Sequence, residues 1–194
     1  MTPRSSLLRP SEAQLGSVAA ELSRSRFSYA EPGLTHPEHS SAYPDSFHVD
    51  ERRVFLGNGE AVFERASRAI FTWQMYATSW TQLFPVTPPV KGSVHCVSAA
   101  HFGLYSLNPV RVVYTIKAPV RAGFAVGTLP GHAESGEERF LVEAENDKVY
   151  FSILAVSKPA GLLVRLAAPF ARRIQQRFFA DAVKQIGQAS RAES

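Results

Sequence analysis

The sequence predicts an α+β fold in which a curved antiparallel β-sheet grips a long C-terminal helix, with an extra helix at the N-terminus. Three observations carry this. Five short β-branched and aromatic runs follow one another between residues 93 and 157 with only turn-length gaps, as an antiparallel meander requires. Ahead of them, the stretch from Asn58 shows a 3.6-residue period, with Val62, Ala66, Ile70 and Trp73 on one helical face. After them, Phe170, Ile174, Phe178, Ala182 and Ile186 recur every fourth residue. Such a row drifts by about 40° per step around a helix of 3.6 residues per turn, which suits the surface of a twisted sheet. A chain of 194 residues, 45% hydrophobic and 20% charged, is long enough for a sizeable core and most economically forms one domain.

In chain order, Pro10-Ser11 starts the first helix, with Ser11 as N-cap and Gln14 placed to complete a capping box. Residues 28–50 are rich in Ser, Pro, His and Tyr without a sustained period and read as an irregular connection. "VDERRVFLG" (49–57) reads as a strand, and Asn58 as the cap of a helix of about four turns. The proline-rich "FPVTPPVKG" breaks the pattern, and the strands "SVHCVSAAHF", "PVRVVYTI", "RAGFAVGTL", "EERFLVEAE" and "KVYFSILAVS" follow. "ENDKV" (145–149) is the clearest hairpin, since Asn and Asp tolerate the left-handed backbone of a tight turn. The last helix starts between Leu162 and Pro169 and turns Arg172, Arg173, Gln176 and Lys184 towards solvent.

Net charge is +4, concentrated in residues 158–194, which hold seven basic side chains against two acidic ones. A positive helix of this kind attracts anions or a membrane surface by its field, but the seam of apolar residues marks it as a core helix first. The basic residues are not interleaved with aromatics on one surface, which argues against nucleic-acid binding. No apolar run approaches the roughly 20 residues that span a bilayer, and the N-terminus lacks a signal-peptide core. A single cysteine, Cys96, excludes a disulfide framework within the chain and a multi-cysteine zinc site, and suits a cytoplasmic protein. Oligomeric state is not encoded in any of these features.

The stretch "GTLPGHAESGEERF" (127–140) concentrates the polar chemistry. It lacks the Lys-Ser/Thr pair of a phosphate loop, and His132-x-Glu134 lacks the cysteine partners of a zinc deaminase. Two registers are open after a turn at Leu129-Pro130-Gly131. In one, residues 132–144 form a single strand, so that His132, Glu134 and Glu138 share the core-facing side of Phe140 and Val142. In the other, which is preferred, a second turn at Ser135-Gly136 leaves His132 and Glu134 in an exposed loop. His95 and His101 share a strand face but lie about 20 Å apart, too far for one metal ion. Cys96 reads as a packed thiol, and no serine sits in a nucleophile elbow. No metal or cofactor is called for. Arg111 and Arg139 are candidate partners for the glutamates, and Tyr114, Phe124, Phe140 and Phe151 are dense enough on the strands to line a pocket.

Several ordered segments, "FSYAEPG", "GNGEAVFERASRAIFTWQM", "HFGLYSLNPVRVVYTI", "GFAVGTLPGHAESGEERFLVE" and "FSILAVSKP…ARRIQQRFFADAV", resemble the uncharacterised family catalogued as domain of unknown function 1990. The resemblance implies a single domain over residues 27–187, an N-terminal extension over 1–26 and a tail over 188–194. His132, Glu134, Gly136, Glu137, Glu138 and Arg139 match that family's "GHxESGEERF" stretch and enter as candidate functional positions. The family's pattern is similar to the helix-grip proteins, which include START lipid carriers, Bet v 1 relatives and polyketide cyclases. That similarity implies a hydrophobic cavity under the last helix.

Two functional expectations follow. The first is a binding module for a small apolar or amphipathic molecule, with Trp73, Arg111, Tyr114, Phe124, His132, Glu138, Phe140 and Phe151 as binding residues. The second is a cyclase- or hydrolase-like enzyme in which His132 and a glutamate, Glu134 or Glu138, perform acid–base work.

Overall fold

The computed structural model describes residues 4–39, 42–161 and 168–191. Eight antiparallel strands form one sheet: β1 (Arg4–Ser6), β2 (His48–Asn58), β3 (Thr81–Phe84), β4 (Val94–His101), β5 (Leu104–Ala118), β6 (Arg121–Thr128), β7 (Glu134–Glu145) and β8 (Lys148–Pro159). Their order is β2-β8-β7-β6-β5-β4-β3, and β1 pairs with β5 beyond the end of β6. Among the described residues three α-helices, α1 (Glu12–Glu21), α2 (Glu60–Phe71) and α3 (Ala168–Ala189), complete the fold, with a 3₁₀ turn at Gln74–Tyr76 after α2. The predicted meander is present as β4 to β8, with Asn146 and Asp147 both at positive φ in its last hairpin.

The main core lies between one face of the sheet and the pair α2 and α3. Phe124, Phe140, Phe151 and Ile153 from the strands meet Ile70 of α2 and Phe178, Phe179, Ala182 and Ile186 of α3. Each large side chain of this kind stabilises the fold by about 1.5–3 kcal/mol when fully buried. Arg172, Arg173 and Lys184 stay exposed, as their place off the apolar row requires. Of the span in which the sequence places the start of α3, residues 162–167 lie outside the described ones, as does the Phe170 side chain.

The opposite face of the sheet is covered too. α1 packs Leu15, Val18 and Leu22 onto Cys96 and Leu129, and its N-terminus carries the predicted capping box: Gln14 N–H donates to Ser11 Oγ at 3.2 Å, and Ser11 N–H to Gln14 Oε1 at 2.8 Å. The irregular segment that follows α1 lays Tyr29, Leu34, Tyr43 and Phe47 over Leu154 and Val156.

Several details differ from the sequence reading. α2 is shorter than the predicted four turns: Asn58 is the last residue of β2 rather than a cap, Gly59 takes the N-cap position at φ 88°, and Trp73 leaves the helix at φ 60°. β5 begins five residues before Pro109, which occupies the point where β5 exchanges its partner β1 for β6. A proline lacks the N–H that a continuous ladder would use, so a change of partner is where it fits. β1 and β3 have three and four residues, too short to impose a period on the sequence.

Candidate functional site

Strand parity decides which polar side chains reach the interior. β7 runs unbroken from Glu134, with Ser135 opposite Lys158 and Gly136 opposite Ser157 in β8. The Ser135-Gly136 turn preferred from sequence does not form; one strand runs through the pair, but it begins at Glu134 rather than at His132 as the single-strand register has it. Polar ties hold it there. Gly136 N–H donates to Thr128 Oγ1 at 2.9 Å, and Ser135 Oγ donates to the Ser28 carbonyl at 2.8 Å. Gly136 is needed for closeness rather than for a turn, since any Cβ there would run into the Val156 carbonyl oxygen. Upstream, the turn at 129–132 closes as expected, with His132 N–H donating to the Leu129 carbonyl at 3.1 Å.

This register directs Glu134 and Glu138 into a cavity of about 260 Å³ between the sheet and α3. Val97, Val110, Val126 and Ala155 supply apolar strand walls, and Ile174 and Phe178 of α3 close the cavity from the helix side. Polar groups gather towards the β6–β7 turn: His132, Glu134, Ser157, Thr128 and Asn108, with Ser106 and His101 beyond. Glu138 stands apart at the Tyr76 end. Four residues along a strand place the two backbone positions about 13 Å apart.

Burial sets the protonation of these groups. It pushes the Glu138 carboxyl up to about 8, opposed by the hydrogen bond with Tyr76 that favours the ionised form. It raises Glu134 to about 7, where the Ser157 hydroxyl donates to the carboxyl at 3.3 Å and the charge of Asp50 disfavours ionisation further. His132 is held down at about 4 by the same burial. Its Nδ1 accepts the Glu134 N–H at 2.8 Å, so in the neutral ring Nε2 carries the hydrogen. At neutral pH the site therefore holds an uncharged imidazole, a protonated Glu138 and a Glu134 near its titration point.

The other residues expected at the site are distributed differently. Trp73, Phe124, Phe140 and Phe151 lie in the packed core and do not line the cavity; Trp73 and Phe124 meet edge to face at 4.7 Å, and the Trp73 indole N–H donates to the Thr87 carbonyl at 2.7 Å. Arg111 and Tyr114 are on the far side of the sheet. Arg111 donates to the carbonyls of Leu22, Ser23 and Ser25 at the end of α1, at 2.7–3.0 Å. Tyr114 is turned outward by a register shift between Val112 and Tyr114, and its hydroxyl shares a hydrogen bond of 2.9 Å with Thr35. Glu137 and Arg139 also face outward. Glu137 accepts from Tyr29 Oη at 2.7 Å, from Gly33 N at 2.7 Å and from Thr35 N at 3.0 Å, and Arg139 donates to the Thr35 carbonyl at 3.0 Å. The pair anchors the irregular segment.

His95 and His101 do not meet. The His95 ring bonds Ser93 and the Pro85 carbonyl, whereas His101 bonds Ser106 at the cavity wall. Among the described residues no three His, Cys, Asp or Glu side chains are grouped to hold a metal ion. Cys96 is buried under α1, with its thiol pushed up to about 12 by that burial, a packed rather than a reactive sulfur. Tyr76, Trp80, Asn108 and Ser157 line the cavity without a sequence signal that singles them out.

A long C-terminal helix clasped by an antiparallel sheet, with a cavity between the two, defines a helix-grip protein. Within that class the chain belongs to the family described as Domain of unknown function (DUF1990), which it matches over residues 28–185. A UPF0548 protein of Deinococcus radiodurans is 36% identical over 186 residues, covering 88% of this chain and 91% of the relative. A UPF0548 protein of Arabidopsis thaliana is 31% identical over 148 residues, covering 73% of this chain and 72% of the relative. Among solved structures, a hypothetical protein of Helicobacter pylori superposes with a TM-score of 0.60 at 11% identity, over 84% of this chain and 95% of that one. The di-domain ARO/CYC StfQ from the steffimycin biosynthetic pathway superposes with a TM-score of 0.51 at 9% identity, over 75% of this chain and 51% of that one. At these identities the structural likenesses speak for the fold alone.

Proposed function

We propose that this protein binds a small amphipathic molecule between the sheet and α3. The observation that carries the reading is the cavity itself: about 260 Å³, walled by valine, alanine, isoleucine and phenylalanine, with its polar side chains gathered mainly at one end. Small-molecule sites characteristically combine apolar walls with a few directed polar groups. A cavity of this size suits a compact ligand rather than a two-chain lipid. His132 and Glu134 would hold the ligand at one end and Glu138 at the other. A reducing, cytoplasmic setting suits the one buried cysteine.

Native mass spectrometry of gently purified protein, with extraction of whatever travels with it, tests this. A stoichiometric small molecule is expected. Protein that stays bare, and whose thermal midpoint no amphipathic compound shifts, overturns the reading.

The cyclase- or hydrolase-like alternative rests on the protonation of the same groups, since carboxyls that titrate near neutrality suit proton transfer. The geometry narrows it: His132 and Glu134 are neighbours, whereas Glu138 is about 13 Å from Glu134 along the strand. An acid–base pair acting on one atom would thus be His132 with Glu134.

A further inference from the structure

The cavity lining is rich in acceptors, and its hydroxyl and indole donors are spent within the protein, which leaves uncharged donors such as the His132 Nε2–H. Asn108 Nδ2 donates to Ser106 Oγ at 2.9 Å, Trp80 Nε1 to Asp181 at 2.8 Å, Ser157 Oγ to Glu134 at 3.3 Å and Thr128 Oγ1 to the Gly136 carbonyl at 3.2 Å. Glu134 and Glu138 each present carboxyl oxygens to the interior. No Lys or Arg lines the cavity among the described residues. Two cations of α3 already have carboxylates: Arg172 pairs with Asp50 at 3.0 Å, and Arg177 with Asp181 at 3.8 Å while lying over the Trp80 ring.

An anion drawn into the buried polar end of this half-open cavity needs a cation or a set of free donors to replace its water. It is also repelled by Glu134 wherever that carboxyl is ionised, whereas the protonated Glu138 is uncharged. Both conditions stand against a carboxylate or phosphate head in this cavity. A hydroxyl or an ammonium finds the opposite: two carboxyls to donate to, and apolar strand walls for its hydrocarbon.

We infer that the cavity selects uncharged or cationic amphiphiles with a hydrogen-bond-donating head, an alcohol or an amine, and rejects anionic ones such as fatty acids. This rests on the ligand-binding reading above and specifies its chemistry. Glu134 discriminates by repelling an anion as well as by accepting from a donor, and Glu138 by offering an acceptor alone.

Three probes with the same eight-carbon chain separate the two ideas: 1-octanol, n-octylamine and octanoate, titrated calorimetrically into the full chain at pH 7.5. The better of octanol and octylamine is expected to bind at least about tenfold more tightly than octanoate. In a Glu134→Gln chain, checked for folding by circular dichroism, the disadvantage of octanoate is expected to shrink, and in Glu138→Gln, which removes no charge, to stay. Octanoate binding as tightly as the other two in the unaltered chain overturns the inference and leaves the binding reading standing. If none of the three binds, the binding reading falls and the inference with it.

Discussion

Glu137 and Glu138 are adjacent in sequence and do opposite work, because a strand sends consecutive side chains to opposite faces. Glu137 is 2% exposed, and the donors gathered on it fix the chain between Tyr29 and Thr35. Glu138 faces the cavity with Tyr76 as its polar partner, and its carboxyl is raised to about 8. That asymmetry is visible in the pH dependence of stability. A carboxyl whose pKa rises on folding binds more protons folded than unfolded between its two pKa values, so stability falls as pH rises through that window. For Glu134 the window runs from 4.5 to about 7, and for Glu138 from 4.5 to about 8. His132 has the opposite sign: held at about 4 against an ordinary 6.5, it adds stability as pH rises between those values. Above pH 7, Glu138 is the one of the three still releasing its extra proton. Urea unfolding at pH 7 and pH 8 is therefore expected to show a loss of stability that is smaller in Glu138→Gln, which has no proton to release. Equal losses in both chains would place Glu138 in contact with bulk water rather than in the enclosed site.

At the scale of elements, Arg111 ties α1 to the sheet. Its guanidinium donates to three carbonyls around the C-terminus of α1, where helix carbonyls lack partners of their own. Arg111→Ala is expected to cost roughly 1–2 kcal/mol, as part-buried acceptors lose a charged donor, and to do so locally. Hydrogen exchange should accelerate in residues 12–27 while α3 and β6 to β8 keep their protection; uniform acceleration would mean that α1 and the sheet unfold as one unit. Arg111 also shows where sequence reading stops. The Ser11 capping box, the Asn146-Asp147 hairpin and the alternation of β4 to β8 are local, and all were legible. The register shift after Val112, which turns Tyr114 outward, depends on how β5 meets β6 and leaves no trace in the alternation itself. The same holds for Ser135-Gly136, a pair that reads as a turn until Val156 is brought against it. Glu134 and Glu138 stand out in the sequence as polar residues beside an apolar run, but only pairing with β8 settles which way they point, and His132 precedes that ladder.

For the whole molecule, the grip of the sheet on α3 has to stabilise the fold and leave space at once, and different residues of one helical row serve the two needs. Ile186 is fully buried and away from the cavity, whereas Phe178 is 9% exposed, forms part of the cavity wall and stacks on Tyr76 at 5.0 Å between ring centres. Truncating either removes core contacts: Ile186→Ala is expected to cost about 2–5 kcal/mol and Phe178→Ala about 3–5 kcal/mol. Their consequences for binding should diverge. The void left at Ile186 is sealed within the core, so the longest alkyl chain the protein accepts should not change. The void left at Phe178 joins the existing cavity, so Phe178→Ala should accept alcohols several carbons longer than the unaltered chain does. Calorimetric titration of a series of primary alcohols into both variants measures that cut-off. A cut-off that moves equally in the two would mean that the helix shifts as a body when its seam is thinned. A cut-off that moves in Phe178→Ala alone would identify Phe178 as the residue by which the last helix sets the size of the ligand.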